Sequence, residues 1–165
     1  MIGNCGFICS TIISKNKMNF NINKLVKNNY IICEGNYLVY GVAQKIYILS
    51  SLGKEYLRKE FDMTIYKSDI NQLEHDYILL KTYMELEEIH QDSWLNETAL
   101  KKMFKTLYTS DGLFSLGEKL IGVEVITNSY SQCAIDGKLE FIKKYCDDKI
   151  IVHTNKGANK KYESV

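Results

Sequence analysis

Apolar residues recur at helical spacing in several stretches of the chain and gather into short runs between them. Residues 9–15 read as a short helix and 19–29 as a second, with Phe20, Ile22, Leu25 and Val26 on one side and Asn21, Lys24 and Lys27 free to face outward. Asn28-Asn29 is a helix-stop signal. Strand-like runs follow at 30–33 and 45–49, joined by a segment whose turn residues are Gly35-Asn36 and Gly41. Ser50 or Ser51 is placed to cap a third helix over 54–61. Further on, Leu79, Tyr83 and Leu86 stand at i, i+4 and i+7 of a helix predicted over 74–90, flanked by Glu85, Glu87 and Glu88. A short strand is expected at 98–100 and a hairpin from 112–116 and 120–126 around a turn at 117–119. A helix at 132–146 carries Ile135, Leu139 and Ile142 on its apolar side, and a strand closes the series at 149–153. The pattern predicts an α+β chain in two parts, 1–62 and 70–155, the second in the order α-β-β-β-α-β. Residues 156–165 read as a polar, flexible tail.

Composition narrows the class. The 165 residues are 45% hydrophobic and 25% charged, which excludes a disordered chain. No apolar run nears the ~18 residues of a membrane span, and the start lacks the basic-then-apolar pattern of a signal peptide. Five cysteines at irregular spacing make no disulfide framework, and Cys5 and Cys9 lack a second pair at zinc-like spacing. Reduced thiols in a cytoplasmic protein are the expectation. Arg58 is the only arginine among 21 basic residues, and lysine favours diffuse phosphate contacts over bidentate clamps. The net charge of +1 hides a split. Lys15, Lys17, Lys24 and Lys27 lie in an N-terminal stretch with no acid before Glu34, whereas Glu85, Glu87, Glu88, Asp92 and Glu97 fall between Lys81 and Lys101 with no lysine or arginine. This asymmetry suggests a nucleic-acid-facing N-terminal part, with the 85–97 run a solvated face that repels DNA or meets a protein partner.

Two short helices, a β-hairpin and a closing helix are the parts of a winged helix-turn-helix. The stretch "INKLVKNNYIICEGNYLVYGVAQKIYILSSLGKEYL" resembles that pattern, with Ile46, Tyr47, Leu49, Gly53 and Leu57 in its last segment. The resemblance implies a recognition helix in the major groove of double-stranded DNA. Asn19, Asn21 and Asn23 would reach base edges, and Lys15, Lys17, Lys24 and Lys27 phosphates. Only residues 1–7 are left for the usual first helix. Either that helix is vestigial, or another part of the chain or a partner subunit covers its face. So few phosphate contacts per chain imply a homodimer.

The second part, through "SDGLFSLGEKLIGVEV", resembles the restriction-endonuclease-like core with its PD-(D/E)xK signature. By position Asp111 matches the motif Asp and Glu124 the motif Glu, the pair that would hold Mg²⁺ in a nuclease. Ser110 stands for the motif Pro and Ile126 for its Lys. An alkyl side chain cannot activate water, and Lys119 and Lys138, at the turn and on the next helix, are not expected to compensate. The site therefore reads as a relic, with no catalytic residues, metal or cofactor. The combination of a winged helix with Glu74-His75-Asp76, Trp94-Leu95 and these strands resembles the replication-relaxation family of plasmid and phage proteins. It implies DNA binding in replication or transcriptional control. A Mg²⁺-dependent endonuclease or nickase and a phage-encoded protein-binding inhibitor are the alternatives. His75 is expected to bond nearby backbone, Asp76 to favour a helix N-terminus, and Trp94 to anchor the core.

Overall fold

The computed structural model describes residues 1–15, 21–154 and 161–164, of which Lys15 and 161–164 are described in backbone only. It is a mixed α+β fold with two sheets. The chain opens with a one-turn helix α1 (Ile2–Cys5), strand β1 (Phe7–Cys9) and helices α2 (Ser10–Lys15) and α3 (Ile22–Lys27). Asn21 caps α3 by accepting from the Lys24 amide at 3.0 Å. Strands β2 (Ile31–Val39) and β3 (Val42–Leu49) form a hairpin, and β1 adds antiparallel to β3, giving the order β1-β3-β2.

This hairpin is longer than the sequence pattern predicts. Its reversal lies at Tyr40-Gly41, both with positive φ, as a tight two-residue turn requires. Gly35 is not a turn residue: it sits at a register shift between Cys33 and Gly35, where a φ of 141° suits only glycine. Helix α4 (Ser51–Phe61) follows, capped by Ser50, whose hydroxyl accepts from the Gly53 amide at 2.9 Å and donates to the Asn29 carbonyl.

A 3-10 turn (Ile70–Gln72) leads into α5 (Leu73–Glu85). The helix expected as one piece over 74–90 is broken at Leu86, and α6 (Glu88–Asp92) is separate. The Gln91 side chain donates through Nε2 to the carbonyls of Tyr83 and Leu86 at 3.2 and 3.0 Å, satisfying the end of α5 and turning the chain. The strand expected at 98–100 is instead helical. Strand β4 is only Leu95–Asn96, and Asn96 caps α7 (Glu97–Phe104) through the Ala99 amide at 3.0 Å. Strands β5 (Gly112–Leu116) and β6 (Lys119–Thr127) form the second hairpin, and α8 (Gln132–Tyr145) crosses to β7 (Asp148–Thr154), parallel to β6. Part of the expected free tail is ordered as β8 (Lys161–Ser164), antiparallel to β7, so the second sheet runs β4-β5-β6-β7-β8.

One hydrophobic cluster joins the two sheets. It takes Phe7, Ile8 and Ile46 from the first, Val123, Val125 and Val152 from the second, and Leu79 and Leu80 from α5 between them. Burial of Ile78, Leu79 and Leu80 in succession marks α5 as enclosed on more than one side. It packs against α1, β1 and β6. Trp94 stacks on Phe114 and meets Tyr83 edge-on as a core residue. The cysteines are all free, and among the described residues no helix is long and apolar enough to cross a membrane.

Candidate functional site

The antiparallel register of β5 and β6, with Gly112 opposite Val123, brings Asp111 beside Glu124. Both are buried, at 1% and 0% exposure. The Asp111 amide donates to Glu124 Oε2 at 3.1 Å, and the Val125 amide donates to Asp111 Oδ2 at 2.8 Å. The hairpin thus positions the two carboxylates through its own backbone.

The structure then corrects the reading of the lysine. Ile126, where the motif has Lys, is a buried apolar residue. A lysine reaches the pair from α8 instead: Lys138 Nζ lies 2.6 Å from Asp111 Oδ1 and 2.9 and 3.1 Å from the two oxygens of Glu124. Glu97 Oε1, paired with Lys101 at 2.8 Å, is 3.7 Å from the same ammonium. Beneath it the Tyr130 ring centroid lies 5.3 Å away, favourable for a cation. The signal for this residue was a charge within an apolar stripe. Lys138 precedes the buried Phe141 and Ile142 by three and four positions, so it faces the sheet with them.

His75 also departs from expectation. It bonds no backbone: Nδ1 donates to Asp76 Oδ1 at 2.9 Å and Nε2 to Asp111 Oδ2 at 3.0 Å. The Tyr130 hydroxyl lies 3.1 Å from Nε2, and Tyr66 donates to Asp76 Oδ1 at 2.9 Å. A carboxylate oxygen facing each ring nitrogen favours the imidazolium, which can donate to both. Burial alone pushes its pKa down, but the Asp111 and Asp76 carboxylates overcome that and raise it to about 10. Burial likewise opposes ionisation of Asp111, yet His75 and Lys138 hold it well below the usual carboxylate range. Glu124 is pushed well above that range by burial and by the Asp111 charge, and Asp76 is raised by burial. Burial would lower Lys138, but Asp111 and Glu124 keep it firmly an ammonium. Two cations therefore offset the carboxylates of a closed cluster. Of this cluster the sequence pointed to Asp111 and Glu124; it set Lys138 aside, gave His75 and Asp76 other roles, and gave no sign of Tyr66 or Tyr130.

The PD-(D/E)xK resemblance implies Mg²⁺ between Asp111 and Glu124, and the arrangement does not fit one. Mg²⁺ needs oxygens at about 2.0–2.1 Å in octahedral order and keeps several waters. Here the Lys138 ammonium fills the position, and the two carboxylates are closed to solvent. Among the described residues, no group of three or more His, Cys, Asp or Glu side chains is arranged to hold a metal.

The N-terminal candidates lie elsewhere, on the first sheet's side of the molecule. Asn23, Lys24 and Lys27 are exposed on α3, which buries no residue. Asn21 is exposed too, but its Oδ1 is engaged as the helix cap. Lys17 and Asn19 lie outside the described residues, as does the side chain of Lys15. In the acidic run Glu85, Glu87, Glu88 and Asp92 are exposed, whereas Glu97 turns toward Lys138. No family model matches the sequence, and no curated protein or solved structure matches it.

Proposed function

We propose that this is a double-stranded-DNA-binding protein whose nuclease-like core is a closed scaffold that does not cut. The observation that carries the reading is α3. It is short, exposed and free of acids, presents Asn23, Lys24 and Lys27 outward, and is followed directly by the β2–β3 hairpin. The succession α1-β1-α2-α3-β2-β3, with β1 paired to β3, supports a winged helix-turn-helix with a one-turn first helix. In such a unit the helix enters the major groove and the hairpin rests on the backbone. The placement of Asp111 and Glu124 across the β5–β6 hairpin, with α8 crossing to β7 parallel to β6, supports the nuclease-like assignment of the remainder, although α6 and α7 add two helices to the expected α-β-β-β-α-β order. Two copies acting together would supply enough phosphate contacts for useful affinity. The resemblance to the replication-relaxation family supports a plasmid or phage setting, in replication or transcriptional control.

Fluorescence anisotropy with a labelled duplex, titrated over salt, tests this. Binding at low salt should weaken steeply as salt rises. Replacing both lysines, Lys24→Ala and Lys27→Ala, should lower affinity on every sequence and reduce the slope of log affinity against log salt by about two, each phosphate contact contributing roughly 0.9. No binding at low salt, or an unchanged slope, would refute the reading.

One observation favours a second reading, a Mg²⁺-dependent endonuclease: Lys138 brings to Asp111 and Glu124 the lysine that the strand lacks. Cleavage would require that ammonium to leave its place. Nicking of supercoiled plasmid in Mg²⁺ or Mn²⁺ that is lost in Glu124→Ala would establish it over the first.

A further inference from the structure

We propose that Lys138 is the resident cation of the Asp111–Glu124 site, closing it to divalent metal, and that removing its ammonium opens a divalent-cation site. The inference deepens the non-cutting part of the proposed function and rests on it. Carboxylates from three elements converge on one nitrogen supplied by a fourth: Asp111 just before β5, Glu124 on β6 and Glu97 at the start of α7 surround a lysine of α8. The two nearest are at 2.6 and 2.9 Å, the close approach of charge-assisted contacts.

A second observation concerns Glu124 alone. Its Oε1 is fully buried and accepts no hydrogen bond, although the ammonium is 2.9 Å away. The oxygen faces positive charge outside hydrogen-bond geometry. A spherical cation satisfies such an oxygen from any direction, whereas an ammonium has only three directed protons.

The two occupants compete for the same oxygens. A divalent ion shared by Asp111 and Glu124 would need the oxygens that the Lys138 ammonium already contacts at 2.6 and 2.9 Å, and its charge would stand beside two buried cations, Lys138 and His75. Without Lys138, the same carboxylates face a gap with His75 as their only close cation among the described residues. Calcium and manganese, less strict than magnesium in geometry or dehydration, are the suitable probes.

The test uses the full chain, with Mn²⁺ binding followed by electron paramagnetic resonance and by the Mn²⁺ dependence of the melting temperature. Wild type should bind no Mn²⁺ at this site and melt at the same temperature with and without millimolar Mn²⁺ or Ca²⁺. Lys138→Ala should bind roughly one ion per chain, melt several degrees higher with it, and lose both effects when Glu124→Gln is added. If Lys138→Ala is unfolded in chelator, recovery of the folded circular-dichroism signal in Mn²⁺ supports the proposal, and failure to recover overturns it. Mn²⁺ bound to wild type and abolished by Glu124→Gln, or a folded Lys138→Ala that binds none, also overturns it. DNA affinity of wild type, measured alongside, reports on the proposed function alone, so the two can fail separately.

Discussion

Lys138→Met isolates the energetic role of the buried ammonium, because methionine keeps the length and apolar stem and removes the charge. The lysine side chain is 8% exposed and its partners Asp111 and Glu124 are 2% and 0% exposed, so solvent cannot take over the solvation of what remains. Removing one partner of a buried pair costs about 3–5 kcal/mol, mostly as the penalty of the stranded charge. For a chain of 165 residues, with about 2–4 °C per kcal/mol, the melting temperature should fall by roughly 6–20 °C. Glu124→Gln alone should cost less, about 1–3 kcal/mol. The amide oxygen can still accept from Lys138 and from the Asp111 amide, while His75 remains on Asp111.

The double variant, Lys138→Met with Glu124→Gln, removes one charge of each sign. It should sit within about 2 kcal/mol of wild type, so that the two costs are far from additive. Urea unfolding of the four proteins, monitored by circular dichroism in chelator, gives the coupling directly. A Lys138→Met cost below about 1 kcal/mol, or simple additivity, would refute the account of the cluster as a mutually neutralising unit.

Two further predictions concern its surroundings. A Cβ added at Gly112 would lie 2.1 Å from the Trp94 ring, so Gly112→Ala should cost about 1–3 kcal/mol or more by thermal melting, and combining it with Trp94→Leu should cost less than the sum. His75 has its folded pKa raised to about 10 from an ordinary 6.5, so its stabilisation is fully present below pH 6.5 and is lost as pH rises toward 10. Wild type should therefore lose stability across that interval, and His75→Gln should be less stable near pH 6 but flatter above it; equal slopes for the two in urea titrations would contradict the imidazolium assignment.

What the sequence disclosed was what local chemistry dictates. Asp111 and Glu124 were singled out by the resemblance to PD-(D/E)xK strands, and their adjacency was legible because a hairpin places facing residues by simple counting. The caps at Ser50 and the strand assignments of 112–116 and 120–126 rest on equally local rules. Lys138 was hidden because its partners are 27 and 14 residues away and only the packing of α8 on the sheet joins them. The same holds for His75, whose second partner lies 36 residues downstream. The strand expected at 98–100 failed for a local reason: β4 ends at Asn96, which is an N-cap, and the Glu97–Lys101 pair then supports a helix. The long hairpin β2–β3 was missed because Gly35-Asn36 is good turn chemistry locally, yet pairing with β3 continues past it.

The segment between α4 and α5 reads in sequence as the joint between two parts, yet it is tied to both. The Tyr66 amide donates to the Gly3 carbonyl of α1 at 2.8 Å while its hydroxyl donates to Asp76. Thr64 accepts from Asn96 at 2.7 Å, and the Lys67 amide donates to Thr98. From α1 the bonded chain passes through Tyr66, Asp76, His75 and Asp111 to Lys138 on α8. An apolar core of equal volume would stabilise the fold as well or better, since desolvating charges is costly. What a charged chain adds is direction: each member accepts only partners at a fixed angle and distance, so the N-terminal sheet docks in one orientation relative to β5 and β6. That orientation fixes where the lysines of α3 stand relative to the acidic run at 85–97, and hence which face of the molecule can approach a polyanion.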